Sequence, residues 1–392
     1  MRNPELYEPL QIENKSRSAA TSKRKSQRRE RRTLILNDER YAPVAEDADV
    51  DETTLDAAET ETNYEPDAEP LTHYNLDELD DEAFDQSQEA EYEPFLDETV
   101  ADEAVSKKRG PGVVGRAALA LAPLFTRFYD LQMQLGGGVR PIRQRVAMSS
   151  YPRNVPPLKI AFLSDLHYGP TTGRVALRQA WQIARDANPD VLLLGGDYLY
   201  ADEGGLPSLL RELQRWKNTP PPGGMYAVLG NHDHHADIDS IITGLEACNV
   251  RVLVNDALPL PEPWTDVWIT GVDDTHEGDA QPDLALAGVP QGACSIMLSH
   301  SPDVCENGAL KRCGLTLCGH THGGQICSPG GDAMYMPSKW GKHYPWGLHR
   351  HAGNWVFVSR GVGTVGVPLR LWAPPDVAIL DVTGTIRSSV VV

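Results

Sequence analysis

The sequence predicts an α/β sandwich with central sheets, on two observations. From residue 158 onward, short apolar runs alternate with segments of helical period. At the carboxyl end of five of those runs stand Asp, His or Asn residues, where α/β sheets carry their ligand sites.

The runs Leu158–Leu163, Val191–Leu194, Met225–Leu229, Ser295–Leu298 and Leu315–Leu317 read as buried strands, because each is short, apolar and bounded by Gly, Ser or Asn. Three helices fall between them. Val175–Ala187 places Leu177, Trp181 and Ala184 on one face, Leu206–Trp216 does so with Leu209, Leu210 and Leu213, and Ile238–Cys248 with Ile241, Ile242 and Leu245.

The strand ends carry Asp165 and His167 in Leu-Ser-Asp-Leu-His, Asp197 in Leu-Gly-Gly-Asp, and Asn231, His232 and Asp233 in Leu-Gly-Asn-His-Asp. His300 follows in Leu-Ser-His-Ser, then His320 and His322 in Leu-Cys-Gly-His-Thr-His-Gly-Gly-Gln. One His-x-His pair arises by chance in many chains. Five strand ends delivering such groups together predict a metal site.

In this order the motifs Asp-x-His, Gly-Asp, Gly-Asn-His-Asp, a lone His and Gly-His-x-His resemble the calcineurin-like metallophosphoesterases, over about residues 155 to 385 and without departure at a ligand position. The resemblance implies an α/β four-layer sandwich, with two mixed β-sheets face to face and helices outside. It places Asp165, His167 and His322 on one divalent ion, Asn231, His300 and His320 on another, and Asp197 between them. It makes His232 a catalytic group near the leaving oxygen and Asp233 its orienting partner; Asp233 as the N-cap of the following helix is the alternative.

A donor set of four His, two Asp and one Asn suits Mn, Fe, Zn or Co better than Ca, and Mg less well. Two such ions about 3.5–4 Å apart would hold a hydroxide for in-line attack on phosphorus. The expected activity is hydrolysis of a phosphodiester or pyrophosphate bond, on a lipid-linked or nucleotide-sugar substrate. The alternatives are a phosphomonoesterase or protein phosphatase, and a metal-bearing scaffold that anchors an acidic interaction tail.

Further runs resemble a bacterial branch of the family that includes membrane-associated phosphodiesterases and UDP-2,3-diacylglucosamine pyrophosphatases. They are Gly323 to Gln325, Val358 to Gly366 with Leu369 and the Pro374–Pro375 pair, Gly271 to Asp274, and Met336 to Ser338. Within them Arg360 either contacts a substrate phosphate or pairs with Asp273 or Asp274. The ring-rich stretch from Trp340 to His351 either lines a pocket or packs as a surface loop, and His276 beside Glu277 reads as a solvated turn.

Charge divides the chain. Residues 1–37 hold 10 basic and 4 acidic side chains, residues 38–104 hold 26 acidic side chains and Arg40 alone, and the remainder carries 25 of each sign, so the net charge of −19 belongs to the tail. The acidic pI therefore says little about the substrate, and no specific nucleic acid is expected. Residues 1–110 form a basic-then-acidic tail with too few large apolar side chains to offset its ordering entropy, and it is expected to be disordered.

Residues 111–149 read as an amphipathic helix and linker, ahead of a catalytic domain over 150–392. Leu121, Leu124, Phe125, Phe128, Leu131 and Leu135 recur at helical spacing amid Lys107, Lys108, Arg109, Arg116 and Arg127. The longest apolar stretch, Ala117–Phe125, has nine residues, whereas a bilayer needs roughly 20. Residues 111–135 therefore either contact a membrane peripherally or dock on the catalytic domain. Residues 1–36 show no secretory signal, and the six cysteines lack metal spacing, so the expectation is a cytoplasmic protein with reduced thiols, peripheral at the inner membrane if the helix binds lipid.

Overall fold

The computed structural model describes residues 126–385 apart from 137, 170, 201 and 202. The tail expected over 1–110, and the part of the helical segment ahead of residue 126, lie outside the described residues.

Twelve strands form two mixed six-stranded sheets. In the first, β1 (Arg140–Met148) and β12 (Asp376–Gly384) run parallel, β12 meets β2 (Leu158–Leu163) antiparallel, and β3 (Val191–Leu194), β4 (Met225–Ala227) and β5 (Val250–Val252) continue parallel to β2. In the second the order is β10 (Gly347–His351), β11 (Asn354–Val358), β9 (Leu315–Cys318), β8 (Cys294–Leu298), β7 (Val267–Gly271) and β6 (Asp256–Pro259). Its middle four strands are parallel and its outer two antiparallel.

Alternation along β2 shows why its sequence is apolar throughout. Ile160 and Phe162 enter the core between the sheets beside Ile296, Leu298, Leu315 and Leu317, while Ala161 and Leu163 face the helices. The outer layer on that side contains α1 (Arg174–Asp186), α2 (Leu206–Asn218) and, after the short α3 (Asn231–His235), α4 (Ile238–Ala247). Ala176, Leu177, Ala180, Trp181 and Ala184 of α1 are buried there. The second sheet is covered by α5 (Pro282–Ala287) and the 3-10 turns Pro302–Glu306 and Gly308–Arg312, through Leu286, Val304 and Leu310. The molecule thus has the four layers expected: helices, sheet, sheet and short helices.

The chain departs from the sequence expectation at two places. Residues 140–148, expected within a linker, pair with β12 along their full length, Arg140 opposite Asp376 through Met148 opposite Gly384. Only Val146 and Met148 of this edge strand are buried, and Arg140, Arg143 and Arg145 are exposed; charge on an edge blunts further pairing and hides the strand from a search for apolar runs.

The second departure is the face by which the helix over 126–135 docks. The helix docks through Tyr129 and Met133, which join the core with Trp181. Phe128, Leu131 and Leu135, the spacing read as its apolar face, are 49%, 50% and 80% exposed.

Trp181 is fully buried and its indole N–H donates to the Tyr168 hydroxyl at 2.8 Å. Trp181→Ala should lower unfolding free energy by about 3–5 kcal/mol, from the cavity and the lost bond, read as a lower urea midpoint at unchanged slope.

Candidate metal centre

The five strands that end at the site lie in two parallel sets, β2, β3 and β4 in one sheet and β8 and β9 in the other, so their carboxyl ends gather at one end of the sandwich. Beyond each end the backbone turns sharply. Asp165, His167, Asp197, His320 and His322 all sit in left-handed conformations, with φ of 54°, 45°, 55°, 67° and 49°. A non-glycine residue pays for that conformation in strain, and such strain concentrates at functional sites.

The turns bring the side chains into contact. His167 Nε2 lies 3.2 Å from His322 Nε2 and 3.5 Å from Asp197 Oδ2, and His322 Nε2 lies 3.5 Å from Asp165 Oδ1. On the other side of Asp197, His300 Nε2 is 3.2 Å from the same Oδ2 and 3.2 Å from His320 Nδ1. Two groups able to hold a cation result, Asp165 with His167 and His322, and Asp197 with His300 and His320. A third grouping joins His167, Asp197 and His232. Asn231 adds a side-chain oxygen that is buried without a hydrogen-bond partner.

These residues fit a two-ion centre. An orphaned amide oxygen and paired imidazole nitrogens at 3.2 Å are costly in a dry interior unless a cation takes up their lone pairs. Three of the four imidazoles are neutral. Burial pushes His167 and His320 down to about 3 and holds His322 well below the ordinary range, so all three offer lone pairs. At His300 burial acts downward, but the charge and hydrogen bond of Asp197 outweigh it and hold the ring well above its ordinary range, so it would give up a proton to an ion. Burial raises Asp165 to about 6. At Asp197 burial acts upward, but the attraction and hydrogen bond of His300 outweigh it and hold the carboxyl well below its usual range.

Glycines make the closeness feasible. A Cβ on Gly319 would lie 1.9 Å from Ser164 Oγ and 2.3 Å from Asp165 Oδ2, and one on Gly230 would lie 2.2 Å from Asp197 Oδ1.

Asp233 does not take the place expected for it. Its carboxylate accepts from the backbone N–H groups of Asp197 (2.8 Å), Gly230 (2.9 Å) and Tyr198 (2.9 Å), tying the turn after β3 to the turn after β4. Adjacent residues on a helix point about 100° apart, so His232 and Asp233 on α3 do not face each other. Nor does Asp233 cap α4; that N-cap is Asp237. The partner of His232 is the Tyr200 carbonyl, 2.8 Å from Nδ1, and its ring meets that of His167 edge-on at 4.8 Å.

Arg360 pairs with neither Asp273 nor Asp274. It is buried, with Nε 2.8 Å from Asp376 Oδ2, under the half-exposed ring of Trp346 at 4.5 Å. The rings of Trp340, Tyr344 and His351 pack on one another, and the loop abuts the centre where the Thr321 hydroxyl donates to the Pro345 carbonyl at 2.8 Å. The six cysteines are free and buried, as expected for core thiols.

The sequence reading missed His276 and Arg370. His276 lies exposed in a turn, as expected, yet its ring stacks on that of His320 at 4.7 Å and lies 3.0 Å from Asp303. No spacing rule could have found this contact, because three separate loops meet there. Arg370, next to Leu369 and singled out by no motif, reaches His322.

The hydrogen bond to Asp303 raises His276, while Asp303, which burial alone would raise, is held at about 2 by His276 and the Trp340 N–H. Asp303 contributes stability above the ordinary carboxylate value of about 4, lost as pH falls through about 2; His276 contributes fully below about 6.5, lost as pH rises through its raised value. His276→Gln should therefore lower the urea midpoint of the chelated protein most between about pH 4 and 6.5, with the difference shrinking towards pH 9.

Comparison with known proteins agrees with this geometry. The family model described as calcineurin-like phosphoesterase matches residues 158–324. The phosphodiesterase YaeI of Escherichia coli is 31% identical over 248 residues, covering 61% of this chain and 87% of that protein. An uncharacterized metallophosphoesterase of Aquifex aeolicus is 30% identical over 234 residues, covering 58% and 85%. A zebrafish (Danio rerio) transmembrane protein with a metallophosphoesterase domain is 29% identical over 242 residues, covering 58% of this chain and 53% of that one. With its strand-end Asp and His groups buried around a shared carboxylate, the chain belongs to the calcineurin-like phosphoesterases, enzymes that cleave phosphoric esters with the help of metal ions.

Proposed function

We propose that this chain hydrolyses a phosphodiester or pyrophosphate bond, on a lipid-linked or nucleotide-sugar substrate, at a centre of two ions of Mn, Fe, Zn or Co. The observation that carries this reading is Asp197, whose Oδ2 is shared between His167 at 3.5 Å and His300 at 3.2 Å. In this assignment Asp165, His167 and His322 would hold one ion, Asn231, His300 and His320 the other, and Asp197 would serve both. Ions bound there supply Lewis acidity towards a phosphoryl oxygen and lower the pKa of water.

The remaining roles fall to the chain. The Nδ1–H of His232 donates to the Tyr200 carbonyl, which fixes the ring and leaves Nε2 to hold a proton for the leaving oxygen. The His232 N–H donates to Asp197 Oδ1 at 2.8 Å, so the catalytic imidazole and the shared carboxylate move together. The name of the relative YaeI supports a diester over a monoester. The orphaned oxygen of Asn231 supports a bound ion, since an unsatisfied buried polar atom has a cost that an ion removes.

Peripheral contact with a bilayer on the cytoplasmic side is part of the proposal. No helix among the described residues is long and apolar enough to cross a membrane. The helix over 126–135 instead turns Phe128, Leu131 and Leu135 outward, and Gln132 beside them bonds the backbone of Arg370, next to Leu371 and Trp372 at 36% and 58% exposure.

With Mn, the purified protein should hydrolyse bis-p-nitrophenyl phosphate faster than p-nitrophenyl phosphate. Asp197→Ala or Asn231→Ala should abolish turnover, and His232→Ala should lower kcat by about 10²–10⁴. Equal inertness of wild type and variants with every metal would sink the enzyme reading. In liposome flotation, wild type should rise with anionic vesicles and a Phe128→Ser, Leu131→Ser, Leu135→Ser variant should stay at the bottom.

A further inference from the structure

Arg370 is buried, and its guanidinium is taken up by carbonyls and one imidazole. Nε donates to the Gly363 carbonyl at 3.0 Å, and Nη2 to the same oxygen at 2.6 Å and to the Arg360 carbonyl at 2.8 Å. Nη1 donates to the carbonyls of Ala373 at 3.1 Å and His322 at 3.2 Å. Nη2 also lies 3.0 Å from His322 Nδ1. One arginine therefore grips both the backbone and the ring of His322. A guanidinium has donors alone, so in the metal-free chain Nδ1 accepts and the ring proton sits on Nε2, towards His167 and Asp165; an ion at Nε2 would displace that proton, and the bond to the His322 carbonyl would keep the residue in place.

The grip continues outward. Gln132, on the helix over 126–135, closes a two-bond clasp on the backbone of Arg370: its Oε1 accepts from the Arg370 N–H at 3.0 Å, and its amide N–H donates to the Arg370 carbonyl. Three residues earlier on the same face, the Tyr129 hydroxyl donates to the Val362 carbonyl at 2.8 Å. The other group of candidate ligands is held differently. The His320 ring stacks on His276, its N–H donates to Asp165 at 3.0 Å, and the His300 ring faces the Gly195 carbonyl at 2.8 Å.

We propose that Arg370 is the positioning residue for the ion held by Asp165, His167 and His322, and that Gln132 positions Arg370, which makes the helix over 126–135 part of the metal centre's support. This rests on the two-ion reading above. Groups behind a ligating imidazole set its orientation, and losing one weakens metal binding by about 10–100-fold. Because only one of the two ligand groups touches Arg370, the loss is one-sided. A contact that served stability alone would loosen both ions together or neither.

The test is Mn binding to the full chain, by equilibrium dialysis with elemental analysis and by electron paramagnetic resonance, alongside the thermal midpoint. Wild type should hold two Mn ions with an exchange-coupled spectrum. Arg370→Met should bind one ion about 10–100-fold more weakly and the other within twofold, giving a six-line mononuclear spectrum at intermediate Mn. Gln132→Leu should weaken the same ion by a smaller factor. Two ions of wild-type affinity in both variants, or equal weakening of both ions, would overturn the role of Arg370. If Arg370→Met does not fold, Gln132→Leu decides alone by the same criteria. A wild type that binds fewer than two Mn ions would instead overturn the two-ion reading itself.

Discussion

The carboxylate of Asp197 has to remain ionised in an almost fully buried place, and much of the centre follows from that demand. A buried charge without partners costs several kcal/mol, so donors must converge on it. His300 does so at 3.2 Å and the His232 N–H at 2.8 Å, while the neutral ring of His167 stands 3.5 Å away. These groups come from the ends of three different strands, drawn from both sheets. Asp233 stands close by with the opposite fate. Burial first, and the charge of Asp197 second, push it up to about 7, and it serves the backbone of the two turns rather than the centre. Two carboxylates on neighbouring turns, after β3 and after β4, thus divide the work: one presents charge to the centre, and the other shapes the loop that presents it.

The left-handed turns give that arrangement its rigidity. Five candidate ligands hold positive φ, and each turn is braced by backbone bonds to the next: Asp165 N–H to the Gly196 carbonyl at 3.0 Å, His167 N–H to the Asp197 carbonyl at 3.0 Å, and Gly319 N–H to the His300 carbonyl at 2.8 Å. Strained turns persist when their surroundings over-determine them. Here each turn is the surroundings of its neighbour. The ligand groups are therefore held in place by the protein itself, in the manner of a preorganised site.

How much of this was legible in the sequence depended on the range of the interactions. Strands buried on both faces, such as β2 and β3, announce themselves as unbroken apolar runs, and the polar groups that follow them had to stand at the sandwich end. The helices with one buried face, α1 and α2, were equally plain from their period. Two elements ahead of β2 were hidden. The strand β1 looks like a basic linker, and the helix over 126–135 shows its most regular apolar spacing on the side that faces solvent. Side-chain pairings across loops left no local trace at all. His276 on His320, Arg360 on Asp376 and Arg370 on His322 join segments whose separation along the chain no period records.

The place of β12 has a consequence for how the protein comes into being. The last strand of the described chain lies between β1 and β2, the first two, parallel to one and antiparallel to the other. Until residues 376–384 leave the ribosome, β1 has no neighbour in its sheet, β2 has an open side, and Arg360 lacks the carboxylate that neutralises it. Contacts that span nearly the whole domain are the slowest to form, because the loop they close is the longest. The nascent domain thus spends its synthesis with an unpaired edge next to an apolar strand, a surface open to mispairing with another chain. The strand that ends the wait also carries Asp376, so closure of the sheet and fixation of the loop beside the metal centre are one event.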